Sequence, residues 1–129
     1  IAEKVQSGTP IDLTMGYVNV IWQGDANAVA LRSLTIAAAP AKVLNLTGPE
    51  TLPVRGLAEQ LGELLGKHPV FSGVEGATAL LNNAAQCTRR FGPPHVSVEQ
   101  VLRWVAHWAS RGGRTLAKPT KFQVRDGKF

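Results

Sequence analysis

A single cysteine, Cys87, among 129 residues excludes an internal disulfide and any cysteine-based metal cage. Cys87 lies in a stretch of helical character and reads as a small, half-buried apolar residue. A reactive thiol would need surroundings that lower its pKa. A chain built without disulfides points to a reducing compartment, hence a cytoplasmic protein. No apolar run approaches the roughly 18 residues of a membrane span, so no membrane partner is expected. The longest mild run, Ile36 to Ala41, is interrupted by Pro40. The start lacks the charged, apolar and cleavage regions of a signal peptide. It also lacks a methionine. Ile1-Ala2-Glu3-Lys4-Val5 opens in mid-pattern, like the last turns of a helix, and so reads as the end of a truncated polypeptide. His68, His95 and His107 share no metal-ligand spacing, and no His-Glu-x-x-His segment occurs, so no metal chemistry is assigned to them.

Among the residues that are present, the hydrophobic share of 44% is enough for a packed core and argues against disorder. The formal charge of +5 is unevenly placed. From Gln86 onward, nine Arg or Lys residues stand against two acids, Glu99 and Asp126, a balance of +7 that leaves −2 for the first 85 residues. A basic end suits contact with an anion or exposure to solvent. No recognisable nucleic-acid motif or aromatic platform accompanies it, so no nucleic acid is expected as a partner. The chain divides into residues 1–113, a lobe able to fold, and residues 114–129, a basic C-terminal tail.

Hydrophobic periodicity alternates between strand and helix signals. Residues 1–6 read as a helix remnant stopped by Ser7-Gly8-Thr9-Pro10. Tyr17 to Gln23 is rich in β-branched and aromatic residues and reads as a strand, with Gly24 ending it. Asp25 is then placed to N-cap a helix running to about Ala39, its carboxylate favoured by the positive end of the dipole. Lys42 to Leu46 reads as a second strand. Pro53 suits a first helical position. Val54, Leu57, Ala58, Leu61, Leu64 and Leu65 follow at helical spacing, and Gly66 fits the C-terminal cap. Pro69 to Ser72 reads as a third strand, and Asn82 to Arg90 as a short helix with Asn82-Asn83 at its start. Ser97 with Gln100 three residues on has the capping-box pattern, opening a last helix whose buried face is Val98, Val101, Leu102, Val105 and Trp108. The expected class is α/β, a small three-layer-like fragment with about three mostly parallel strands and four helices. Parallel strands need cover on both faces, and so few elements supply little of it, which again points to an incomplete polypeptide.

Three segments, in order, resemble the C-terminal third of the NAD(P)-dependent epimerases/dehydratases of the extended short-chain dehydrogenase/reductase family. Val18-Asn19-Val20-Ile21-Trp22-Gln23-Gly24-Asp25-Ala26-Asn27-Ala28 is similar to the family's strand that leads into an Ala-rich helix. Val43-Leu44-Asn45-Leu46-Thr47-Gly48-Pro49, continuing to Ala58, is similar to its strand with a central Asn, a Gly-containing turn and a helix beginning near Pro-Val-Arg. Arg90-Phe91-Gly92-Pro93-Pro94-His95-Val96-Ser97-Val98-Glu99 resembles its Leu-Gly-aromatic-x-Pro turn, followed by a helix starting at Ser. The resemblance implies the C-terminal lobe of an extended short-chain dehydrogenase/reductase. Its substrate would be a polar molecule bearing a hydroxyl or keto group, commonly a nucleotide-sugar in the family. Its partner would be a separate N-terminal Rossmann half that binds NAD or NADP, and the parent would be a homodimer. This chain departs from the family at the cofactor and catalytic motifs. Its glycine turns, at Gly24, Gly48, Gly62 with Gly66, and Gly112-Gly113, do not form a phosphate-cradling fingerprint, and the residue four after its one tyrosine, Tyr17, is Ile21 rather than Lys. The 73–79 segment also holds no Arg where nucleotide-sugar members place one against the diphosphate. The expectation is therefore a lobe that is catalytically inactive alone, with no catalytic, cofactor-binding or metal residue. A non-catalytic binding or interaction domain of the same superfamily is the alternative.

Candidate substrate-binding residues are Asn19, Trp22 and Gln23, toward the C-terminal end of the first expected strand, where ligands of open α/β sheets sit. Trp22 offers a stacking face and Gln23 an amide that donates and accepts. Arg89 and Arg90 join them as groups able to reach a phosphate. Arg55, whose charge opposes the dipole of its own helix, is expected to pair with Glu59. Trp108 is expected in the core with Trp104 flanking it; an exposed Trp face would instead mark a docking surface.

Overall fold

The structure, a computed structural model, describes residues 1–116, so most of the basic tail lies outside the described residues. The described part is α/β, with five α-helices and two short strand pairs. It divides into two compact units. One holds residues 1–18, 52–80 and 102 onward; the other holds residues 19–51 and 81–101.

The first unit is organised around α3 (Val54–Leu65). Pro53 sits just outside the helix, extended at φ −67° and ψ 128°, rather than at its first position. Gly66 closes the helix in the left-handed conformation, φ 62°, which glycine adopts without a Cβ penalty. Val54, Leu57, Ala58 and Leu61 are buried, and α1 (Ala2–Ser7) packs against them through Ala2 and Val5. Leu64 is exposed, and Gly62 is buried in its place. The apolar stripe thus turns one residue away from the face that the leucines alone define. The reason is local. A Cβ on Gly62 would stand 2.6 Å from the Lys67 carbonyl oxygen and 2.9 Å from Pro69 Cδ, so the chain leaving α3 folds back over that position.

After Pro69 the chain forms β4 (Phe71–Ser72), which pairs in parallel with β1 (Ile11–Asp12), Ile11 opposite Phe71. Ile11, Leu13 and Met15 extend the core. Asp12 accepts the Thr14 N–H at 2.8 Å, and this bond to its charged form holds its carboxyl below the usual carboxylate range. Tyr17–Val18, β2, pairs antiparallel with Leu52–Pro53, β3. The strand expected over residues 17–23 shrinks to two residues, its pairing ending at Val18 opposite Leu52. Residues 42–46 form no strand: Lys42 and Val43 are exposed, and no described strand pairs with them. The α/β class holds; the third expected strand is present as Phe71–Ser72, and its parallel partner, Ile11–Asp12, is one that the sequence pattern did not mark.

The last helix, α5 (Val98–Ser110), opens with Ser97 Oγ accepting the Gln100 N–H at 3.2 Å, the cap that the sequence pattern calls for. Its buried residues are Leu102 and Ala106. Trp108, 54% exposed, is not a core residue, and Trp104 is 42% exposed. The Trp108 indole N–H instead reaches the Arg114 carbonyl oxygen at 3.1 Å, a bond that would be lost by burying the ring among apolar side chains. Arg55 does not pair with Glu59. Its guanidinium lies 4.4 Å from the centre of the Phe71 ring and 3.2 Å from Glu75, both brought to it by the β4 segment and the loop after it.

Gly62→Ala sets two effects against each other. Helix propensity favours Ala by about 1 kcal/mol, whereas the clash with the Lys67 carbonyl, a backbone atom, costs about 1–3 kcal/mol. We expect net destabilisation in a urea unfolding curve; a variant as stable as the parent or more so would show that the chain after α3 does not fold back in this way.

Candidate functional site

The second unit is built around α2 (Gln23–Ser33), whose one buried residue is a charged one, Asp25. The sequence places Asp25 as the helix cap. In the structure the N-cap lies three residues earlier, at Trp22, with no side chain capping the helix, and Asp25 sits within the first turn. The cause is again a glycine. A Cβ on Gly24 would lie 2.6 Å from the Trp22 indole nitrogen, so the ring folds back along the first turn only because residue 24 has no side chain. The helix ends at Ser33 rather than near Ala39. Ser33 and Thr35 hydroxyls donate to the Ala30 and Arg32 carbonyl oxygens, and a 3₁₀ turn, Leu34–Ile36, follows.

Released from capping, the Asp25 carboxylate accepts the Val96 N–H at 3.0 Å, and its other oxygen lies 3.4 Å from His95 Nδ1. Asp25 thereby fixes the Gly92–Val96 turn that precedes α5. Two more ties hold the short helix before that turn, α4 (Ala85–Phe91). Asn83 Oδ1 accepts the Ala85 N–H at 3.0 Å at its start, and Arg32 donates to the Phe91 carbonyl oxygen at 2.9 Å at its end, its guanidinium 5.0 Å from the Phe91 ring. Cys87 is its buried residue, and Ala84, just before the helix, is buried as well.

A third close approach completes the unit. Thr47 and Gly48 are buried, and a Cβ on Gly48 would collide with the Val20 carbonyl oxygen. The Thr47–Glu50 turn therefore lies directly against the Val20–Trp22 segment. Between them and the first turn of α5 runs a cleft of about 240 Å³. Its walls include Trp22, Pro93, Pro94 and Val101, and its polar side chains are Glu50 and Ser97. Each wall is set by one of the three ties: Gly24 seats the indole, Gly48 brings in Glu50, and Asp25 holds the turn leading to Ser97.

The five residues singled out from the sequence occupy different places. Trp22 lines this cleft. Asn19 donates from Nδ2 to the Asn82 carbonyl oxygen at 2.7 Å and so joins the two stretches of chain that make the unit. Gln23 donates to Asn27 Oδ1 at 2.9 Å, along its own helix. Arg90 lines a separate hollow with residues 33–38 and 41–44, and Arg89 is exposed. Glu50 and Ser97 were not singled out as ligand contacts. Ser97 carried a capping signal only, and nothing near Glu50 in sequence marks it. Among the described residues no cluster of three His, Cys, Asp or Glu side chains could hold a metal ion, and no helix is long and apolar enough to cross a membrane. α3 begins at Pro53-Val54-Arg55, without a glycine turn, and α2 at Trp22-Gln23-Gly24, where the indole lies against the first turn.

Gly48→Ala is expected to lower stability by about 1–3 kcal/mol, because either Val20 or the turn must move. In a heteronuclear NMR spectrum the Trp22 indole N–H signal should shift with it. An unchanged indole signal in a variant of parental stability would show that the turn does not pack on this strand.

No protein-family model matches the sequence, and no curated protein matches it. Solved structures do. RMD from Pseudomonas aeruginosa, complexed with NADPH, superposes with a TM-score of 0.63 at 16% identity over 86% of this chain and 40% of its own. UDP-glucose 4-epimerase from Thermus thermophilus, in complex with NAD, gives a TM-score of 0.65 at 17% identity over 86% of this chain and 38% of its own. This chain thus spans about two fifths of the length of either protein. At these identities the likeness establishes the fold alone: this chain shares the fold of about two fifths of each of these two proteins.

Proposed function

We propose that the chain is the substrate-binding, C-terminal lobe of an NAD(P)-dependent epimerase, dehydratase or related oxidoreductase, and that it is inactive alone. Its substrate is a sugar-like or other polar molecule with a hydroxyl or keto group. The observation that carries this reading is the likeness to two dinucleotide-bound proteins over only about two fifths of their length, in a chain whose own glycine turns and single tyrosine supply neither a phosphate cradle nor a Tyr-x-x-x-Lys pair. The cofactor, NAD or NADP, belongs to a Rossmann half that is this lobe's partner, in a cytoplasmic, homodimeric parent without nucleic-acid or membrane partners.

In this reading the second unit meets the substrate. Trp22 supplies an apolar face held rigid by its seat over Gly24, the kind of preset surface that binds without first having to be ordered. Asn19 and Gln23 support the strand-to-helix turn that presents Trp22, and Arg89 and Arg90 are candidate contacts for an anionic part of a larger substrate. Titration calorimetry of the 129-residue chain with NADH and with NADPH should give no saturable heat at micromolar ligand. Micromolar affinity for either would overturn the assignment of cofactor binding to a separate half.

A further inference from the structure

We propose that the Trp22 cleft selects ligands by charge, taking the ammonium end of a small molecule with an apolar body and discriminating against anions. The proposal rests on reading the cleft as the substrate-contacting surface and adds the substrate's chemical class. Three observations within the unit point the same way. The lining is mostly aliphatic, with prolines and valines alongside Trp22, so it offers an apolar surface to the body of a ligand. Among the described residues, the one ionisable side chain in the lining is the Glu50 carboxylate, and no Lys, Arg or His lines the cleft. An aromatic face beside a carboxylate attracts an organic cation both through the ring's quadrupole and by direct charge pairing. A phosphate would meet Glu50 with no cation in the lining to offset it.

One feature of the cleft favours the opposite sign. The first turn of α5 borders it, and a helix N-terminus attracts anions. That end is already served: Ser97 Oγ accepts the Gln100 N–H, and Glu99 stands in the first turn. The balance therefore lies with Glu50 and the indole.

A series with one apolar body and three head groups tests this: benzylammonium, benzyl alcohol and benzoate, titrated into the isotopically labelled chain, with the Trp22 indole N–H and the Gly48 and Val98 amides as reporters. Benzylammonium should bind most tightly and benzoate least, with about three- to tenfold between the cation and the neutral alcohol, the range set by one aromatic face and one partly exposed carboxylate. Glu50→Gln, a surface change that leaves the fold intact, should erase the advantage of the cation and leave the alcohol unchanged. Trp22→Ala should weaken all three. Should that variant unfold, Val101→Phe, which narrows the cleft from the α5 side, should do the same. Benzoate binding as well as or better than benzylammonium, or a cation preference that survives Glu50→Gln, overturns the proposal while leaving the cleft as a ligand site. Shifts at none of the three reporters with any ligand remove the cleft itself. The cofactor assignment stands apart from both results, since it is judged by the dinucleotide titration.

Discussion

The second unit hangs on a carboxylate buried without a full countercharge. Asp25 is the one buried residue of α2, and it spends its charge on a backbone N–H 71 residues away in sequence. A hydrogen bond to a charged acceptor contributes about 1.5–3 kcal/mol net, and leaving such a carboxylate buried without its donor costs more than the bond gains. The interaction therefore acts as a constraint on geometry. Whatever else α2 and the turn before α5 do, Val96 must present its N–H to Asp25, and that requirement fixes the Pro93–Pro94 wall of the cleft.

The two units are stabilised by different means. The first has an apolar core in the ordinary sense, with Val5, Ile11, Leu13 and Val54 fully enclosed and α3 as its spine. The second encloses little that is apolar, chiefly Ala84 and Cys87, beside the polar Asp25 and Thr47. Its organisation comes from close backbone approaches that glycine permits and from directed bonds: Asn19 to Asn82, Arg32 to Phe91, Asp25 to Val96. Directed contacts of this sort hold a surface in one shape without filling it, which suits a ligand-facing unit. Hydrophobic burial is less demanding in its geometry and suits the scaffold.

What could be read from the sequence follows from how far each signal reaches. Signals confined to one helix were legible. Examples are the Ser97–Gln100 cap and Gly66 at the end of α3. So was the fold, through three segments in the right order. Signals that depend on a distant partner were not. Asp25 has every local attribute of a cap, yet the ring of Trp22 over Gly24 moves the helix start, and the carboxylate turns to Val96. Arg55 has a suitable acid one turn along, yet Phe71 offers a stacking face and Glu75 a carboxylate on a neighbouring segment. Trp108 has the right spacing for a core residue, but its N–H finds a carbonyl beyond the helix end. The strand expected at residues 42–46 has the right residue types, but strands need a neighbour, which no pattern within five residues can supply. The candidate site divides along the same line. Trp22 stands out in the sequence for its stacking face at the end of an expected strand and lies in the structure at the N-cap of α2, lining the cleft, whereas Glu50 comes to the cleft only through the approach of Gly48 to Val20.

The part-buried bond from Val96 to Asp25 underlies the cleft, and hence the reading of this lobe as a substrate-binding surface. Its most direct test is amide hydrogen exchange on the intact chain, resolved at Val96. Because the N–H is bonded to a carboxylate inside the unit, its exchange should be slowed to the range of the interior amides of α5. Exchange at the rate of an open loop would mean that the turn is not held by Asp25 and that the cleft has no fixed wall.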